Sequence, residues 1–129
     1  MAAVRRQDTH PEMTVRRALH AAGLRYRLQR RDLPGRPDIV LACRRAAIFV
    51  HGCYWHRHNN CKYASMPSTR VNFWQSKFRA NIKRDQSAVK ELQLSGWTVL
   101  VVWECESRDR VFLNRFVARV LQLKRKSTR

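Results

Sequence analysis

The eleven residues from His51 to Cys61, HGCYWHRHNNC, hold three histidines, two cysteines and a Tyr-Trp pair. Within them Cys53, His58 and Cys61 are separated by four and two residues, close enough to share one ion in a tight loop. Tetrahedral zinc takes thiolate and imidazole ligands and wants a fourth. Cys105 is the natural donor, because it ends the apolar run VLVVWEC and a strand end can reach a neighbouring loop. A closed Cys3His set is structural, not catalytic. Its expected job is to hold an irregular loop in one shape; the alternative is a group of free thiols. Cys43 stands apart and is expected to be a small core residue on a strand.

The chain around this loop is 129 residues long, enough for one compact domain spanning 1–129 with a core of its own. No run of about 18 apolar residues is present, which excludes a membrane-spanning helix. The start, MAAVRRQDTHPE, lacks the apolar region of a secretory signal. The four cysteines are therefore expected in a reducing cytosol, where metal ligation is favoured over disulfides. Lys and Arg number 27 against 9 Asp and Glu, a net charge of +18. An excess of that size points to a polyanionic partner, and duplex nucleic acid is the commonest one. A solvated basic surface, or a ribosomal or membrane-surface role, is the competing account.

Hydrophobic spacing orders the chain as helix, three strands, metal-binding loop, long helix, strand, helix. Val15, Leu19 and Ala22 recur on one face from about Pro11 to Ala22, and Gly23 stops that helix. RYRLQR and PDIVLA read as short strands joined by the turn LPGRP, and AAIFVHG as a more buried strand. From Arg70 to Ser95 a helical stripe runs Trp74, Phe78, Ile82, Asp85, Val89, Leu92, and Gly96 caps it. WTVLVVWE then reads as a second buried strand, and Phe112, Phe116, Val120 and Leu123 mark a last helix over about 109–124. Strands framed by helices at both ends predict an α/β fold with a small mixed sheet.

Three carboxylates stand in unusual places. Asp38 opens an apolar strand, where a carboxylate is costly to bury unless it is paired or metal-bound. The next strand ends at Val50-His51. A carboxylate on one strand and a backbone carbonyl on its neighbour, with waters completing an octahedron, is a common way for nucleases to hold Mg2+. Glu12 shares the helical face of Val15 and Leu19, and Asp85 interrupts an apolar stripe; the alternatives are a solvated edge or a helix ion pair, Arg84 being adjacent to Asp85. Histidine suits proton transfer near neutral pH. His56, beside the zinc ligands, is assigned as general base for an attacking water, with Asp85 orienting its ring. His51 is expected near the Mg2+ or a phosphate.

LPGRPDIV, AAIFVHGCYWHRHNNC, ANIKRD and GWTVLVVWEC together resemble the very short patch repair (Vsr) mismatch endonucleases, in the expected order from about Asp8 to Cys105. The resemblance implies a type II restriction-endonuclease-like (PD-(D/E)xK-like) mixed central sheet flanked by helices. It implies nicking of duplex DNA 5′ to the thymine of a T·G mismatch, the product of 5-methylcytosine deamination. Residue by residue, it implies that Asp38 ligates Mg2+ through its carboxylate and Val50 through its carbonyl. His56 becomes the general base supported by Asp85, with Glu12 and His51 near the metal-bound waters. The zinc ligands it implies are again Cys53, His58, Cys61 and Cys105. Tyr54 and Trp55 acquire the role of a wedge entering the base stack, where an aromatic recovers stacking lost at an opened step.

The second strand departs from the usual restriction-nuclease pattern: Val50, His51 and Gly52 stand where Glu-x-Lys is commonly found. Tyr54 replaces a phenylalanine, and Asn59-Asn60 loosens the spacing before Cys61. Family members typically carry a basic segment before the helix bearing Glu12; here MAAVRRQDTH stands in that place, implying truncation or a weaker grip on the mismatch. A monomer in the bacterial cytoplasm, at the nucleoid, with mismatch-repair proteins as further partners, completes the expectation. The competing functions are a zinc-stabilised DNA-binding module and a structure-specific nuclease without T·G specificity.

Overall fold

The computed structural model describes residues 9–28 and 30–125. Helix α1, His10–Ala21, starts where Thr9 accepts a hydrogen bond from the Glu12 N–H at 3.4 Å. It stops at Gly23, whose φ of +78° is open to glycine and costly for other residues. Three strands follow: β1 (Arg27–Leu28), β2 (Ile39–Leu41) and β3 (Ala46–His51). The long helix α2 spans Val71–Leu94 and returns the chain to β4 (Thr98–Trp103). A one-turn helix α3 (Glu104–Ser107) and the helix α4 (Arg110–Gln122) complete the order. Asp109 caps α4 by accepting from the Val111 and Phe112 N–H groups.

The sheet runs β1-β2-β3-β4, antiparallel at the first two junctions and parallel between β3 and β4. A parallel pair needs a long crossover, and α2 provides it. Alternation along β3 then divides the core. Ala46 and Ile48 face α1 and α4, packing with Val15, Leu19, Phe116 and Val120. Ala47 and Phe49 face the other way, towards Leu92 of α2. The fold is therefore mixed α/β, a four-stranded open sheet with helices on both faces.

Four expectations are corrected. Cys43 lies in the 3-10 turn Ala42–Arg44 and is exposed, so it is no core residue. β4 is an edge strand: only Leu100 and Val102 are buried, and the side chains between them are half-covered. Among the described residues of RYRLQR only Arg27 and Leu28 pair in the sheet, and both are exposed. On α2 it is Ala88, not Val89, that is buried, because Gly35 presses there; a Cβ on Gly35 would lie 2.6 Å from the Ala88 Cβ. The segment before Thr9 lies outside the described residues. Among those residues no helix is long and apolar enough to cross a membrane.

Candidate active site and metal cluster

The parallel register sets His51 opposite Trp103, so the loop after β3 and the turn after β4 leave the sheet side by side. Cys53, His58 and Cys61 come from the first and Cys105 from the second. Their ligand atoms all lie within 4.8 Å of one another. The His58 Nδ1 is 3.6 Å from the Cys53 Sγ and 3.4 Å from the Cys105 Sγ. The Cys53 Sγ also accepts the Cys105 N–H at 3.4 Å, which joins the loop to the strand end across 52 residues of chain. The thiols differ: burial pushes Cys53 up to about 12 and raises Cys105, while a backbone hydrogen bond at Tyr63 holds Cys61 below its usual value. Three sulfurs and one imidazole nitrogen, mutually in reach, form a donor set that fits a tetrahedral soft cation such as zinc.

A second cluster sits on the α2 face. By alternation His51 shares that face with Ala47 and Phe49, and it is 7% exposed. The His56 ring stacks on it, with centroids 3.9 Å apart and planes 5° from parallel. From α2, the Asp85 Oδ2 lies 2.7 Å from the His56 Nδ1. Asp85 is thus engaged with His56, while Arg84 turns to Asn81 and the Ala80 carbonyl. His56 and Asp85 each keep about a third of their side-chain surface, 31% and 29%, open to solvent. Burial, reinforced by the neighbouring His56, lowers His51 to about 4, so its ring is neutral at physiological pH.

Just before β2, Asp38 accepts the Val50 N–H at 2.7 Å, and its carboxyl is close enough to His56 to feel its charge. Burial raises its carboxyl to about 7 against the pull of that bond, and the nearby Glu12 carboxylate adds to the rise. Glu12 itself is 1% exposed in the first turn of α1 and is ion-paired with Arg16. Two buried carboxylates side by side, one of them held near neutrality, are a hard oxygen donor set of the kind that suits Mg2+.

The aromatic pair is packed against α2. Tyr54 meets Phe78 edge-on at 5.5 Å and Trp55 at 5.0 Å, and Trp55 lies 6.1 Å from Trp74. Both remain half-exposed. Sequence reasoning overlooked Trp103, which stacks on His58 at 4.3 Å and meets His51 edge-on at 5.2 Å, touching both clusters at once. Its signal was its place two residues before Cys105. It also overlooked Asn81, one helical turn before Asp85, whose amide donates to the Trp55 carbonyl at 3.4 Å.

The family model described as DNA mismatch endonuclease Vsr matches residues 1–62. A type II nicking enzyme of Xanthomonas oryzae, V.XorIIP, is 49% identical over 109 residues, covering 84% of this chain and 79% of that protein. The DNA mismatch endonuclease Vsr of Escherichia coli is 44% identical over 110 residues, covering 85% of this chain and 70% of its own. The chain belongs to the Vsr family of DNA mismatch endonucleases. Another relative, the type II nicking enzyme V.NmeAIP of Neisseria meningitidis, is 36% identical over 124 residues and is covered over 88% of its length. The stretch aligned with the Vsr model runs from the chain start through Glu12, Asp38, the loop histidines and Cys61; Asp85 and Cys105 lie beyond it.

Proposed function

We propose that this chain is a Mg2+-dependent, strand-specific endonuclease that nicks duplex DNA 5′ to the thymine of a T·G mismatch. It acts as one domain, 1–129, on a restriction-endonuclease-like sheet, as a monomer in the cytoplasm. The observation that carries this reading is the pairing of the His56 Nδ1 with Asp85 at 2.7 Å beside the buried carboxylates Asp38 and Glu12. Membership of the Vsr family supports the substrate.

Asp85 accepts from Nδ1–H and so leaves the His56 Nε2 lone pair free to take a proton from water. His51, neutral and stacked beneath, keeps that ring from turning. Water attacks phosphorus as Nε2 removes its proton, the P–O bond in line with the attack breaks, and the leaving oxygen takes a proton from solvent. The Asp38 carboxylate and the Val50 carbonyl would hold Mg2+, with Glu12 and His51 towards its waters. When bound, Mg2+ supplies Lewis-acid stabilisation of the charge growing on the phosphate. Cys53, His58, Cys61 and Cys105 would hold zinc, which would fix the backbone that presents His56 and the wedge residues Tyr54 and Trp55.

The test uses end-labelled duplexes that differ only in T·G against T·A, with and without Mg2+. Mg2+-dependent cutting of the thymine strand of T·G alone is expected. Asp38→Ala should abolish it, and His56→Ala should lower the rate by about 10²–10⁴-fold, both with DNA binding retained. Equal cutting of both duplexes discards the mismatch substrate. Tight binding with no cutting leaves a zinc-stabilised DNA-binding module.

A further inference from the structure

Arg57 lies between the two histidines of the loop, yet its side chain touches neither cluster. It turns back into the loop. Nη1 donates to the Tyr54 carbonyl at 3.1 Å and to the Ser65 carbonyl at 3.2 Å, and Nη2 donates to the Ala64 carbonyl at 2.6 Å. The guanidinium plane rests 4.1 Å from the Phe78 ring centroid on α2 and 5.4 Å from that of Tyr54. The backbone at Arg57 is left-handed, with φ of +55°, a conformation uncommon for such a residue. One half-buried cation thus binds together the start of the loop, its return segment and the helix beneath.

We infer that Arg57 is the positioning residue for the Tyr54-Trp55 pair and thereby sets how strongly the protein prefers a mismatched step to a matched one. The inference rests on the wedge role given to that pair above. A guanidinium can serve several carbonyls and stack on rings at the same time, because its donors form a rigid planar fork. The Tyr54 carbonyl is fixed by that fork, and its ring packs beside the stacked pair of guanidinium and Phe78, 5.4 Å from the first and 5.5 Å from the second. A wedge held in place cannot retreat from a well-stacked step, so the matched duplex must be opened at full cost. A mismatched step opens more cheaply. Rigidity at Arg57 converts that difference in stacking into a difference in binding, in the manner of any pre-organised contact.

The experiment compares dissociation constants for T·G and T·A duplexes, without Mg2+, for the wild type and for Arg57→Met, Arg57→Lys and Tyr54→Ala, with zinc content and melting temperature measured on each. Arg57→Met is expected to lower the T·G to T·A preference about ten-fold, by tightening the matched-duplex constant while the T·G constant stays within about two-fold. Arg57→Lys keeps the charge and loses the fork, and should lose about three-fold of the preference. If Arg57→Met loses zinc or fails to fold, Arg57→Lys decides. An unchanged preference in the folded variants overturns the inference. So does an equal weakening of both duplexes, which would make Arg57 a phosphate contact. A preference lost in Tyr54→Ala and kept in both Arg57 variants overturns this inference alone. A preference kept in Tyr54→Ala removes the wedge reading and this inference with it.

Discussion

Asp38 receives a hydrogen bond that favours its ionised form and still titrates near 7, because burial and the Glu12 carboxylate outweigh the bond. Its folded-state value lies above the ordinary carboxylate range. Between about 4 and about 7 the folded chain therefore holds a proton that the unfolded chain releases, and stability falls as pH rises through that window. His51 runs the other way: its value is lowered to about 4, so the unfolded chain binds the extra proton up to about 6.5 and stability rises with pH. The two trends offset each other in the wild type. Asp38→Asn keeps a hydrogen-bond acceptor and removes one of them. Its melting temperature without added Mg2+ should climb between pH 4.5 and 7, gaining on the wild type throughout. A constant gap between the two proteins would contradict the charge balance described for Asp38. Asp38, Asp85 and the loop histidines were legible in the sequence because each breaks a pattern, an acid in an apolar run or donors crowded in a loop. Arg57 was not, since among 27 basic residues nothing in the sequence marks those that fold inward. Trp103 looked like one more apolar residue of a strand.

Helices and strands were read to within a few residues wherever end signals and periodicity agreed, as in α1 with Pro11 and Gly23. The misses have particular causes. Apolar density in WTVLVVW suggested full burial, but density reports what a strand can bury, not whether a neighbour exists on its far side. β4 has only β3. The line of α2 facing the sheet passes through Ala88 because the turn before β2 approaches there, a long-range contact that no local pattern records. Gly35 makes that approach possible twice over, by its φ of +73° and by the Cβ it lacks. Gly35→Ala should therefore cost about 2–4 kcal/mol, seen as a fall in melting temperature of roughly 10 °C. Because α2 carries Asp85, the same change should also reduce nicking. A variant that melts with the wild type would mean the turn and α2 part easily, and the site does not depend on their contact.

For the molecule as a whole, a net charge of +18 governs how it meets DNA before any base is read. Each phosphate neutralised releases counterions, so log K should fall with log salt by about 0.9 per contact. Matched and mismatched duplexes should share that slope and differ only in intercept, since the wedge proposed for Tyr54 and Trp55 would act on stacking rather than on charge. Unequal slopes in a titration from low to moderate salt would show that the mismatch recruits additional basic residues. The link between Cys53 and Cys105 also bears on how the chain reaches its fold. β3 and β4 are parallel and far apart in sequence, so their pairing is the slowest kind of closure available to a small sheet. A metal held there by Cys53, His58, Cys61 and Cys105 would fasten the two strands where they leave the sheet, after that closure has occurred. Such a clasp would do little to hasten assembly and much to delay its reversal. The edge strand, weakest by position, would become the last to let go.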